Sequence, residues 1–201
     1  MKLLNKKAAM FGIDARIALI IFSILAIVSS ATIYSAIEKA EISRIIQQVE
    51  EVKKAEARYY HDTGTIPPQD SIFNLRKIRY LLENSNNVPG WKGPYLPLAD
   101  GGETKIYTPE GEFITLRIAS DEITWGENTN IPIFSKTCTN YPCNYFWIQV
   151  EVDSYEIADG IKAEIDGNND RDFGNVRVRN IGVIGTTKPS VFIKHRVWEE
   201  F

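Results

Sequence analysis

Twenty-one consecutive residues, Ile17–Ile37, carry no formal charge, and this run constrains the chain more than any other feature. As a helix it rises roughly 32 Å, about the thickness of a bilayer's hydrocarbon core. Asp14 and Arg16 stand at its lip, where a charge is costly unless it is partnered or reaches the headgroups. Lys2, Lys6 and Lys7 precede the run, and no acid comes before Asp14. That bias places the N-terminus in the cytoplasm and the rest of the chain outside. The stretch IVSSAT (Ile27–Thr32) offers small residues to a signal peptidase, so a cleaved secretory signal stands as the alternative to a retained membrane helix.

The helical pattern continues past the apolar run. Ile42, Ile45, Ile46, Val49 and Val52 recur at the spacing of an amphipathic helix, and Glu41, Arg44, Gln47, Gln48, Glu51, Lys53 and Lys54 fill the gaps. No Gly or Pro interrupts between Ile13 and Gly64. The sequence therefore predicts one helix from about Met10 to about His61. Gly64 is its stop signal, with Pro67 and Pro68 just beyond. A helix that is apolar all round in its first half and one-sided in its second suits a membrane anchor that doubles as the spine of an external domain.

These residues resemble the N-terminus of the type IV pilin and type II secretion pseudopilin family. The family pattern is a short basic leader, a small residue at the cut, and an apolar helix with an acid at its fifth mature position. Here the leader is MKLLNKKAA (residues 1–9), the cut falls between Ala9 and Met10, and Asp14 takes the fifth place. Ala9 stands in place of the usual Gly, Met10 in place of Phe and Asp14 in place of Glu. Arg16 is foreign to the pattern, and Ala31 replaces a frequent kinking Pro. A cut after Gly12 is the alternative, at the expense of the acid.

The resemblance implies a pilin-like α+β fold, a long N-terminal helix packed on a mostly antiparallel sheet. It divides the chain into a leader (1–9), the helix (10–61) and an external domain (62–201). It implies cleavage by a prepilin peptidase, N-methylation at Met10, and assembly with other subunits on an inner-membrane platform. Asp14 would pair with the α-amine of Met10 on a neighbouring subunit, a use of buried charge to fix register. Arg16 is two residues away and does not share a helix face with Asp14, so it either snorkels to headgroups or pairs across subunits.

At 201 residues, 44% hydrophobic and 24% charged, the chain has room for one globular domain beyond the helix. GWKGPYLPL (Gly90–Leu98) reads as a tight loop pinning Trp91 and Tyr95 against the helix or sheet. Lys105–Ile118 reads as a hairpin turning at Glu110-Gly111. Tyr145–Asp153 is expected to show Phe146, Ile148, Val150 and Val152 on one face and Trp147, Gln149 and Glu151 on the other. Asn175–Gly185 and Pro189–Trp198 add two strands, and Tyr155–Asp166 reads as a short amphipathic helix or irregular segment.

Cys138 and Cys143 frame CTNYPC, a spacing that permits a disulfide in an exported domain. Asp166, Asn168, Asp170 and Asp172 alternate like the first ligands of a calcium loop, and some pseudopilins bind calcium in a C-terminal loop. Arg171 stands where an EF-hand needs Gly and Arg177 where it needs Glu. A plain turn is the preferred reading, with calcium as the alternative and no other cofactor expected. His61 and His195 show no partner pattern, and no nucleophile elbow, P-loop or zinc-helix motif occurs, so no enzyme is expected. The net charge is −3, and Lys188, Lys194, His195 and Arg196 are read as protection on an edge strand, so nucleic acid is not an expected partner. The leading expectation is a structural subunit, minor rather than major, of a pilus or pseudopilus. A single-pass anchored protein with an external ligand-binding domain is the alternative.

Overall fold

The computed structural model describes residues 5–70, 75–121, 144–179 and 188–197, with side chains from residue 12 and excluding residue 31. Helix α1 spans Asn5–Thr63. The strands are β1 (Leu75–Arg76), β2 (Ala99–Asp100), β3 (Ile106–Tyr107), β4 (Phe113–Ser120), β5 (Asn144–Glu151), β6 (Val176–Arg179) and β7 (Ser190–Val197), with helix α2 (Tyr155–Asp166) between β5 and β6. The fold is α+β. The chain divides into two compact units, Met1–Glu41 and Ile42–Phe201. In the first, Ile13, Ile17, Ile20, Phe22, Leu25 and Ile37 are all exposed on the helix.

The second unit is built on a single antiparallel sheet in the order β2-β3-β4-β5-β7-β6, with β1 paired to β4. Ile114, Leu116 and Ile118 of β4 stand opposite Val150, Ile148 and Phe146 of β5, and Val150 and Ile148 stand opposite Val191 and Ile193 of β7. These side chains form one buried face. Against it, in the same core, lie Ile45, Val49, Val52, Ala55 and Tyr59 of α1. Their spacing is the stripe anticipated from sequence, carried two turns further.

The hairpin is present, with Gly111 at φ 97 and the amide of Thr108 bonded to the carbonyl of Glu112 at 2.9 Å. The aromatic loop docks on the helix. The Tyr95 ring meets Tyr59 edge-on at 5.9 Å and Trp91 at 5.6 Å, and the Trp91 indole donates to the carbonyl of Tyr80 at 2.9 Å.

The two faces of β5 alternate as expected, and both are covered: Trp147 and Gln149 are as buried as Phe146 and Ile148. Gln149 survives burial because both its amide oxygen and its amide nitrogen have partners. It accepts from Thr115 (3.1 Å) and Arg117 (2.6 Å) of β4 and donates to Ser190 (3.1 Å) of β7, which ties three strands together. One expectation is corrected: the basic strand β7 is not at an edge, for it lies between β5 and β6.

Helix α2 starts at Ser154, whose hydroxyl accepts from the amide of Ile157, and ends at Gly167 with a left-handed cap. Gly160, in its interior, costs helix propensity and is needed for contact. A Cβ placed there would sit 2.2 Å from Cδ1 of Ile42. Gly160→Ala is therefore expected to destabilise the unit by about 1–3 kcal/mol despite Ala's better propensity. Pairing it with Ile42→Ala should recover part of the loss, as read by denaturant unfolding.

Candidate assembly surface and buried charge centres

The first unit exposes its apolar side chains. Its helix is long and apolar enough to cross a membrane, and none of the apolar stretch is buried. Three of its hydroxyls bond within the helix: Ser23 donates to the carbonyl of Leu19 at 2.7 Å, Ser30 to Ala26 at 2.8 Å and Thr32 to Ser29 at 2.9 Å. Such self-contained bonding is what a hydroxyl needs where water is scarce. Ala9 and Met10 lie within α1. Asp14 and Arg16 are exposed, about 200° apart around the axis, and no ion pair joins them among the described residues.

In the second unit, α1 carries a charge inside its apolar stripe. Glu56 continues the series Ile45, Val49, Val52 and is fully buried. Arg196 of β7 holds it in a bidentate pair, Nε to Oε2 at 2.9 Å and Nη2 to Oε1 at 2.6 Å, and His195 Nε2 lies 3.2 Å from Oε2. The Arg196 guanidinium also stacks on Tyr60 and Phe146. Burial pushes the Glu56 carboxyl up, but the hydrogen bonds and charges of His195 and Arg196 outweigh it and hold the pKa below the ordinary value.

A second centre lies one stretch earlier on the helix. Arg44 reaches Glu110 at 3.0 Å and also pairs with Glu112, so the hairpin turn is clamped to α1. Gln48 donates to Glu110 at 3.2 Å. Burial would raise the Glu112 carboxyl, and the bonds from Arg44 and Thr108 bring it below its ordinary value instead.

Three further cations in or beside the C-terminal strands, Arg177, Lys188 and Lys194, are likewise spent on acids of the same unit. Asp121 receives both Arg177 (2.8 Å) and Lys194 (2.7 Å), and Lys188 pairs with Asp153 at 2.5 Å. The strand read as edge protection is thus a set of internal ion pairs. Glu56 was missed because nothing in the local sequence partners it. The available signal was an acid at an apolar position of a regular stripe, and its partners lie 139 and 140 residues away.

The acidic loop after α2 does not gather into a metal-binding set. Asp166 is paired with Lys162 at 2.6 Å, Asn168 accepts from the amide of Asp170 at 3.0 Å, and Asp170 accepts from the amide of Asp172 at 3.1 Å. Among the described residues no group of three or more acids, His or Cys is placed to hold a metal ion. Cys138 and Cys143 lie outside the described residues.

A cleft of about 460 Å³ opens at the end of α1, lined by Arg58, His61, Asp62, Lys92, Pro94 and Tyr95. The Asp62 carboxylate accepts from the Tyr95 hydroxyl at 3.2 Å and lies 3.5 Å from the Lys92 ammonium. Set against known proteins, the chain matches no family model, no curated protein and no solved structure.

Two outcomes are expected of the Glu56 centre. Its carboxyl titrates lower in the folded chain than in the unfolded one, so its contribution is present above about pH 4.5 and is lost as the pH falls through the folded value. Unfolding free energy measured between about pH 6 and pH 3 should therefore drop more steeply in the wild type than in Glu56→Gln. At neutral pH, Glu56→Gln leaves Arg196 short of its counter-charge and is expected to cost about 3 kcal/mol by denaturant titration.

Proposed function

We propose that the chain is a non-enzymatic structural subunit of the pilin or pseudopilin type, anchored by its N-terminal helix in a bacterial inner membrane with the second unit outside. Prepilin peptidase would cut between Ala9 and Met10, and copies would then assemble through α1 on an inner-membrane platform. The observation that carries this reading is the division of labour along α1. Before Glu41 the apolar side chains are exposed on every side, and from Ile42 the helix supplies one buried stripe to an α+β unit. The leader-like residues 1–9 and the acid at the fifth position after the cut add to it.

Asp14 would supply the register. A carboxylate at the apolar edge gains from a partner on an adjoining copy, and the amine freed at Met10 is one of matching charge.

A membrane-tethered ligand-binding protein is the second reading, favoured by the cleft at Arg58, His61 and Lys92 with its cationic rim. N-terminal sequencing of the protein isolated from its host membranes separates the two. The subunit reading expects a start at Met10 and the tethered reading an intact Met1. Asp14→Ala is expected to be cut normally and to leave no sedimentable polymer, whereas normal polymerisation of this variant removes the register role.

A further inference from the structure

Calcium is the metal that the alternating acids of Asp166–Asp172 suggest, and the atoms gathered there fit a different cation. The Lys162 side chain, in the last turns of α2, is fully buried. Its ammonium has three N–H donors and three acceptors: Asp166 Oδ2 at 2.6 Å, the carbonyl of Val176 at 2.8 Å and the carbonyl of Phe173. Calcium asks for about six to eight oxygens, and three is the number an ammonium uses. Asp166 is completed by two backbone amides, Asn175 to Oδ1 at 3.2 Å and Val176 to Oδ2 at 2.9 Å.

The rest of the loop is arranged around this centre. A Cβ on Gly174 would lie 2.4 Å from Asp166 Oδ2 and 2.8 Å from Lys162 Nζ, so bare backbone is needed where the chain passes the ammonium. Asn168 and Asp170 spend side-chain oxygens on loop amides. Arg171, at the place where a calcium loop would need Gly, turns back to α2 and grips Asp159 through Nε (2.7 Å) and Nη2 (2.6 Å), with its guanidinium over the Tyr155 ring at 4.5 Å.

We propose that the loop between α2 and β6 is a cation site with its cation built in: the Lys162 ammonium holds the position a divalent ion would need, and the unit closes without metal. Calcium has no way in that leaves the lysine charged and in place, because the two positive centres would share the same three oxygens. Being tethered to α2, the ammonium is always present at the site, whatever the ionic composition outside the cell.

The test uses the full chain in detergent micelles, melted in EGTA and in millimolar calcium. The wild type is expected to melt at the same temperature in both. Lys162→Met should lower the melting temperature by about 10 °C, since it leaves a buried carboxylate without its partner. Lys162→Ala, which vacates the ammonium's place, should regain part of its loss in ethylammonium. A calcium-induced rise in the wild type that Asp166→Asn abolishes overturns the proposal, as does a Lys162→Met chain that melts with the wild type. If the lysine variants do not fold, calorimetric titration of the wild type with calcium decides. No saturable binding supports the built-in cation, and saturable binding lost in the surface variant Asp170→Asn rejects it.

Discussion

The second unit depends on one contact, the stripe of α1 seated on the inner face of the sheet. Ile45, Val49, Val52, Ala55 and Tyr59 meet a floor of β-branched and aromatic side chains from β4, β5 and β7. Burial of this kind is the dominant stabilising term for a domain of this size. It is non-directional, however, and would tolerate a helix slid by one turn along the sheet. The charged contacts on either side of the stripe supply the direction. Arg44 fixes the start of the stripe to the hairpin turn through Glu110 and Glu112, and Glu56, near the C-terminal end of the helix, fixes it to β7 through Arg196. The apolar contacts supply adhesion and the ion pairs register.

The same economy runs through the rest of the unit. Glu56, Arg177 and Lys162 are buried and each is matched by an opposite charge or by carbonyl oxygens, whereas Arg76 is buried with its Nε unsatisfied among the described residues and burial lowers its pKa to about 10. Burial lowers the Arg117 guanidinium to a pKa of about 10, still cationic at neutral pH, and Gln149 meets it with an amide oxygen. A chain with 23 basic and 26 acidic residues has enough of both to pair most of what it buries. This pairing also accounts for Lys188, Lys194 and Arg196 of the basic run at the C-terminal strand, which each meet an acid of the same unit.

What was legible in the sequence follows from the range over which each signal acts. The long helix and the hairpin at Gly111 are decided by neighbours within a few residues and are plain in the sequence, while α2, with Gly160 in its interior, could be read there as a helix or as an irregular segment. The apolar stripe on α1 was legible as far as Val52, and its continuation past Glu56 was hidden because an acid interrupts it. The burial of both faces of β5 was not legible. Gln149 looks like a solvent-facing residue until its partners on β4 and β7 are placed beside it. The position of β7 inside the sheet was equally out of reach, since strand order is set by pairings between segments far apart in the chain. The acidic loop gave a correct pattern of residues and concealed their use, because the cation that takes up Asp166 is Lys162, one turn earlier in α2, and its other two acceptors are backbone carbonyls beyond the loop's acids.

The sheet order has a consequence for how the unit is made. β7 is the last strand to be synthesised, yet it fills the slot between β5 and β6. Until it arrives, β5 and β6 each present an unsatisfied edge, and the carboxylate of Glu56, translated some 140 residues earlier, has no guanidinium to meet. Local helices and the hairpin can form as the chain emerges, but the sheet closes only when β7 is threaded in. Such long-range closure is slow, and the open edges in the interim are where the emerging polypeptide is most in need of shielding from its own kind.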